Sequence, residues 1–286
     1  MQSDPQSSSL RTVVRSLVPP VVADVYRARR AARNPAEWRY VGPDWPANLE
    51  KEGPGWNERS VLDAYVRRWP AFVRAVDSPG PFRASPEARN SIQTELAHHN
   101  ATMVFGYALA CATRKRDSVS MLDWGGGIGH YLLIARALVP NLNIDYVCRD
   151  LPILADHGAT LFPEVTFVAD DQCLERQYDF ILASASLHYS SDWRATIAKL
   201  AGAAAGTVLL TRLPTVQSVP SYVFCQRPPD YGTEYPGWCL NRSDLIAACA
   251  GVGLALLREF DLGFAPHIVG APEQNTFAGF LFRASG

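Results

Sequence analysis

The chain has 286 residues, 48% hydrophobic and 19% charged, which is ample apolar material for a full core and far from the composition of disordered chains. Its 27 basic and 28 acidic side chains leave a formal net charge of −1, so no overall positive field exists to hold nucleic acid. No run of about 18 apolar residues is present to span a membrane. The first residues, Met1 to Ser9, are polar and lack the charged-then-apolar pattern of a signal peptide. Six cysteines (Cys111, Cys148, Cys173, Cys225, Cys239 and Cys249) form no C-x-x-C pair. They fit reduced thiols of a cytoplasmic protein, not a disulfide frame or a metal site.

Residues 1–40 hold seven arginines against Asp4, Asp24 and Glu37, a local charge of +4 against −5 for the remainder. Leu10, Val13, Val14, Leu17 and Val18 follow helical spacing. Pro19-Pro20 interrupts them, and Val21, Val22 and Val25 resume before the basic run Arg27 to Arg33. Two readings stand: short helices packed on the main domain, or a basic amphipathic anchor (residues 10–33) making peripheral contact with an anionic membrane. Residues 36–56, with Trp38, Trp45 and Trp56, predict a folded loop. Asn57 is placed to cap a helix whose apolar positions are Val61, Leu62, Tyr65, Val66, Trp69, Phe72 and Val73. The stretch 78–86, with three prolines and a glycine, predicts a boundary. Residues 1–85 are therefore expected to form a helical extension, serving as a cap or a homodimer surface, ahead of a main domain at 86–286.

From residue 90 the pattern alternates. Asn90 and Gln93 resemble a capping box opening a helix to about Arg114. Strands are predicted at 119–123, 144–148, 165–169, 180–183 and 207–213, with helices at 128–139, 151–160 and 193–204. A helix near 242–251 and β-rich runs at 254–260 and 276–282 close the chain. Such alternation of short apolar strands with helices predicts an α/β fold, its mostly parallel sheet covered on both faces. Ligands bind such sheets at the carboxyl ends of the strands, so chemistry is sought there.

The first of these strands ends in Asp123-Trp124-Gly125-Gly126-Gly127-Ile128-Gly129. A dinucleotide pattern G-x-G-x-x-G from Gly125 fails, because His130 stands where the last glycine belongs. The pattern D-x-G-x-G-x-G is met at Asp123, Gly125, Gly127 and Gly129. Glycines let the backbone turn and meet a ligand without a Cβ between them. The acid suits a cationic amine and repels a pyrophosphate. This segment resembles motif I of class I S-adenosylmethionine-dependent methyltransferases. The resemblance implies a Rossmann-like seven-stranded mostly parallel sheet and S-adenosyl-L-methionine as cofactor. It also implies cofactor contacts from Asp123, Gly125, Gly126, Gly127 and Gly129.

Asp150 follows the next strand, 21 residues beyond Gly129, near the ~20-residue offset at which an acid meets ribose hydroxyls. With Leu151 it is assigned to the cofactor, a helix-capping role being compatible. By the same resemblance Asp170, or less directly Asp171, accepts from the adenine amino group, against the alternative of two solvated turn acids. Ser184 ends the fourth strand on the methyl-donor side. Leu187-His188 stands where hydroxyl-directed methyltransferases carry a histidine base, so His188 is either that base or a residue lining the pocket. Glu95-x-x-His98 lacks the second such pair that di-metal chemistry requires, so no metal is expected. His99, Tyr189, Arg212 and Tyr222 are assigned to the acceptor. For Arg212 two roles remain, binding an anionic acceptor or pairing with a core acid. Residues 214–240, aromatic and proline-rich, are expected to be a lid without core elements.

A closer resemblance rests on Leu122-Asp123-Trp124-Gly125-Gly126-Gly127, on Ser186-Leu187-His188-Tyr189 and on the basic segment with Pro19-Pro20. It is to a group of bacterial methyltransferases often found with surface-polysaccharide or sugar-modifying genes. The expectation is O-methylation of a small molecule such as a sugar or secondary metabolite. The alternatives are N-methylation of an amine and a catalytically silent cofactor-binding scaffold.

Overall fold

The computed structural model describes residues 36–46, 55–87, 92–114 and 116–285. The helices and the membrane anchor read into residues 10–33, and Asn90 of the capping box, lie outside the described residues. By contacts the chain divides into Met1–Glu37 and Trp38–Gly286. Everything that follows concerns the second unit, and the stretch 78–86, read above as a boundary, falls within it.

In chain order the elements are strand β1 (Trp38–Gly42), helices α1 (Arg59–Val76) and α2 (Ile92–Ala112), β2 (Ser118–Trp124), α3 (His130–Leu138), β3 (Asn143–Arg149), α4 (Pro152–Leu161), β4 (Thr166–Val168) and β5 (Tyr178–Ser184). After them come α5 (Trp193–Gly202), β6 (Ala204–Val216), β7 (Tyr222–Gln226), β8 (Tyr235–Asn241), α6 (Arg242–Gly251), β9 (Leu254–Asp261) and β10 (Thr276–Ala284). Single 3₁₀ turns cover Asp171–Glu175 and Leu187–Tyr189.

Seven of the strands run in the order β4-β3-β2-β5-β6-β10-β9, parallel except for antiparallel β10. The expected seven-stranded sheet is therefore only part of the structure. The antiparallel β1, β7 and β8 join through β8, which pairs in parallel with the end of β6. The result is a ten-stranded mixed sheet, so the expectation of a seven-stranded, mostly parallel sheet is corrected in both respects. Residues 38–42, read as loop, are an edge strand, and 214–240, read as a coreless lid, supply two strands. In β6 the residues Thr211 and Arg212 together face Gly279 of β10, where the register shifts. At this bulge Arg212 takes a left-handed φ of +56°. β6 pairs with β5 up to Thr211 and with β8 from Thr215.

Adjacent residues of the central strands point into opposite layers, which is why these strands are continuously apolar. Leu122, Ile181, Ala183, Val208 and Leu210 pack with Trp193, Ile197 and Leu200 of α5 and Leu245 of α6. Met121, Phe180, Leu182 and Leu209 pack with Phe105 and Leu109 of α2, Leu132 of α3 and Phe72 of α1. Val61, Leu62 and Tyr65 of α1 rest on Ile128 beside the glycine loop and on Leu154 of α4. The helix of residues 59–76 thus lies over the carboxyl ends of the strands. Among the described residues no helix is long and apolar enough to cross a membrane.

Candidate active site

The β2–α3 loop places Gly125 and Gly127 at φ of +76° and +62°, conformations that glycine alone adopts without cost. The glycines do not share one role. A Cβ on Gly126 would lie 2.5 Å from the Asp123 carboxyl carbon and 2.7 Å from Cys148 Sγ, and one on Gly125 would collide with Ser186. Those two make room for packing beneath and beside the loop. Gly127 instead faces Tyr65 of α1, whose Cε1 would stand 3.0 Å from its Cβ.

Asp123 lies fully buried under Gly126. The Tyr146 hydroxyl donates to its Oδ2 at 2.5 Å, and its Oδ1 has no partner among the described residues. Burial pushes its carboxyl up to about 8, so it supports the loop largely as a neutral acid. Asp150 holds the loop from its other end. Its Oδ2 accepts from the Gly127 N–H at 2.6 Å and its Oδ1 from the Leu151 N–H at 2.7 Å. Burial raises its carboxyl against these hydrogen bonds, which pull the other way. Each oxygen keeps a second lone pair, so the position fits a ribose diol. The side-chain-free backbone at Gly127 and the acceptors of Asp150 together suit a nucleoside cofactor, the unpartnered Asp123 Oδ1 lying beneath them.

The other cofactor candidates spread along the strand ends. Asp170 is exposed and caps the following 3₁₀ turn, its Oδ1 accepting from the Gln172 N–H. Asp171 is turned to Arg149 and Lys199 at 3.1 and 2.9 Å, and its carboxyl is held low. Ser184 is buried, its Oγ 2.8 Å from the Tyr131 hydroxyl.

Beyond β5, His188 is 1% exposed, and neither ring nitrogen has a hydrogen-bond partner among the described residues. Burial, reinforced by the charge of Arg212, pushes its imidazole down to about 3. The His188 ring lies 4.0 Å from that of Tyr189 and 6.1 Å from that of Phe224, centroid to centroid. The Tyr189 hydroxyl donates to Gln226 Oε1, and its ring meets Trp56 and Tyr235. His99 is half-buried on α2 with an unpartnered Nδ1. Tyr222 is not brought to this group. It is buried in the layer formed with Trp38 and Phe224, its hydroxyl donating to the Glu273 carbonyl at 2.8 Å.

Glu87, Ser60 and Arg68 carry no functional signal in the sequence, whereas His98, His130 and the aromatics of 214–240 stand on segments expected to border the site. Glu87 pairs with Arg212, and His130 Nε2 lies 3.7 Å from the same carboxylate. His98 adjoins the cluster, pushed down to about 4 mainly by burial. Trp56 stacks on Tyr235 at 4.9 Å and meets Tyr231 edge-on at 5.3 Å, Ser60 donates to the Tyr231 carbonyl, and Arg68 pairs with Asp230. Residues 55–87 and the β7–β8 arm thus close together over the strand ends. The aromatic richness of 214–240 signalled half of this cover; Tyr65 and Glu87 carried no local signal.

A sequence model described as a methyltransferase domain matches residues 96–257, which span the glycine loop, Asp150, His188 and Arg212. No curated protein matches the chain. Among solved structures, it is similar to the 1,6-didemethyltoxoflavin-N1-methyltransferase of Burkholderia thailandensis (14% identity, 86% of this chain and 94% of that one, TM-score 0.48). It is also similar to an S-adenosylmethionine-dependent methyltransferase of Clostridium acetobutylicum (11%, 65% and 92%, TM-score 0.45) and to the mitomycin 7-O-methyltransferase (15%, 79% and 70%, TM-score 0.44).

Proposed function

The chain belongs to the methyltransferase-domain family, and from that premise we propose that it methylates an oxygen of a small molecule, such as a sugar or secondary metabolite, in the cytoplasm. S-adenosylmethionine is its cofactor; when bound, it supplies an electrophilic methyl on a sulfonium. Asp150 and the backbone at Gly127 would hold its ribose. Asp170 or Asp171 would meet the adenine, and Leu151 and Ser184 would border the site. Asp123 carries the loop from below.

One observation supports oxygen as the methylated atom: a fully buried histidine just beyond β5 whose two ring nitrogens are unpartnered among the described residues. Leaving such a group without a partner is costly, and an acceptor hydroxyl donating to its lone-pair nitrogen would remove part of that cost. His188 is neutral at any ordinary pH, so a lone pair is always available to take the hydroxyl proton. Its low basicity limits the gain from general-base catalysis to the lower part of the usual ~10²–10⁴-fold range. Alignment of the acceptor by Tyr189 and His99 then carries much of the rate. A second reading, N-methylation, is favoured by the cluster of Trp56, Tyr189, Tyr231 and Tyr235, because aromatic faces attract cationic amines.

The test is to incubate the protein with methyl-labelled S-adenosylmethionine and extract of the cognate cell, then locate the label by NMR. Label on oxygen supports the proposal and label on nitrogen the second reading. If no small molecule becomes labelled, both fall.

A further inference from the structure

Arg212 stands at the carboxyl end of the sheet in a left-handed backbone conformation that strains a non-glycine residue. It belongs to the bulge formed with Thr211 opposite Gly279. Bulges beside active sites re-aim a side chain, and this one directs a guanidinium into the space beneath the cover, among His98, His130, Tyr131 and Tyr65. Glycine at this position would relieve the strain but place no charge there.

Among the described residues the charge is answered by a single carboxylate. Glu87 pairs with Arg212, and both side chains are about 85% removed from solvent. His98 and His130, the other basic groups of the cluster, are both held neutral by burial. The cluster is therefore balanced while Glu87 is in place and carries an uncompensated buried cation once it leaves, which costs several kcal/mol unless another anion arrives. Unlike Arg212, Glu87 lies outside the β-α core, in the segment that follows α1. Its carbonyl is anchored separately, accepting from Arg68 Nη1 at 3.1 Å and from the Tyr231 hydroxyl. Its carboxylate can swing away without that anchor breaking.

The surroundings are built for a polar group. Among the described residues, His98 Nε2 is buried without a hydrogen-bond partner. A cavity of ≈ 20 Å³ adjoins Arg212, lined by Ser85, His98, Thr102, His130 and Tyr131 among others. That is room for about one water, and the departure of the Glu87 carboxylate would enlarge it.

We propose that Arg212 is a carboxylate subsite which Glu87 fills in the ligand-free protein and yields to the carboxylate of a ligand. The proposal rests on the methyltransferase reading and deepens it. Two ligands of such an enzyme can bring that group, the amino-acid end of the cofactor and a carboxylic-acid acceptor. The guanidinium offers either one a bidentate, charge-assisted contact.

Calorimetry on the full chain tests this. The probes are S-adenosylhomocysteine with its decarboxylated analogue, and benzoate with benzamide. The proteins are wild type, Glu87→Gln, and the double variant Glu87→Gln/Arg212→Met. Glu87→Gln should bind one of the two carboxylate probes at least tenfold more tightly, its carboxylate-free counterpart showing no gain, and the double variant should lose the gain. A gain for S-adenosylhomocysteine identifies the cofactor as the source, and a gain for benzoate identifies the acceptor. No gain for either probe, or a gain that persists without Arg212, overturns the proposal. If Glu87→Gln does not fold, the double variant, whose cluster is neutral, decides: it should lose at least tenfold on a carboxylate probe relative to wild type and no comparable factor on the carboxylate-free one. Absence of heat with S-adenosylhomocysteine in every protein removes the cofactor reading, while the benzoate arm still judges the subsite.

Discussion

The ring of Tyr65 stands against Gly127, its Cε1 3.0 Å from the place a Cβ on that glycine would occupy. The cover and the glycine loop therefore share a boundary that one added methyl would strain. Gly127→Ala should destabilise the protein by about 1–2 kcal/mol from its left-handed backbone alone, with a further cost from the tyrosine. Tyr65→Ala in the same background should return the second part and not the first. Urea unfolding of the two variants and their combination measures both terms. Strict additivity would place the ring elsewhere in solution.

Asp150 accepts from two backbone N–H groups, those of Gly127 and Leu151. Asparagine keeps one acceptor, so Asp150→Asn leaves one of these donors facing an amide NH₂, at about 1–3 kcal/mol. The affinity for S-adenosylhomocysteine should fall at least tenfold by calorimetry. Asp170→Asn should matter far less, because Asp170 is exposed and its Oδ1 is already engaged by Gln172. Equal losses at the two positions would contradict the ribose assignment.

The central strands were legible because their apolar runs are short, are separated by helical periods and end in glycines and acids. Each of β2, β3, β5, β6, β9 and β10 lies within a few residues of its predicted place. β1, β7 and β8 were not legible. Tyr235-Pro236-Gly237 and the prolines around 228 carry turn chemistry, and β8 becomes a strand only by pairing with β7 and with the end of β6. The site divides in the same way. Asp123 and Asp150 follow from strand-end positions, whereas the partner of Arg212 lies 125 residues away, directly after a stretch whose composition suggested a boundary. Asn57 misled for a related reason. It was read as the cap of its own helix, but its side chain accepts from the Ile153 N–H of α4, and α1 begins after Glu58 with no side-chain cap.

His188 is neutral above about pH 3 in the ligand-free protein. If it receives the acceptor proton, turnover should show no fall between pH 8 and 6 from its titration, unlike that of a solvent-exposed histidine base near 6.5. His188→Ala should lose at least tenfold in turnover, with the fold of the variant confirmed by circular dichroism. A loss below tenfold assigns the residue to the pocket wall.

Stability should depend on pH with opposing signs. Asp123, raised to about 8 by burial, retains in the native state a proton that the unfolded chain has released, so stability falls as pH rises from about 4 and levels off above 8. His98 and His188, lowered to about 4 and 3, bind protons more readily when unfolded, so they remove stability as pH falls below about 6.5. The window from pH 6.5 to 8 lies above these histidines, and Asp150, also raised by burial, acts there in the same sense as Asp123. Wild type should lose about 1–2 kcal/mol across it, and Asp123→Asn should lose much less. Parallel slopes for the two proteins in denaturant titrations would show that Asp123 is ionised in the native state.

The contact between Asn57 and Ile153 ties the cover to the helix that follows Asp150. The asparagine Oδ1 accepts from the Ile153 N–H at 3.2 Å, at the start of a helix whose own N-cap residue, Leu151, offers no side-chain acceptor. Asn57→Ala should cost about 1 kcal/mol, as loss of an N-cap does. Asn57→Asp keeps the acceptor and adds a negative charge at the helix N-terminus, worth about 0.3–1 kcal/mol at low salt. It should be at least as stable as wild type, with the advantage shrinking as salt is added. Because α4 begins directly after Asp150 and Leu151, hydrogen exchange at the Leu151 amide should quicken in Asn57→Ala and not in Asn57→Asp. Unchanged exchange in both would mean that the cap acts on the helix alone and leaves Asp150 where it stands.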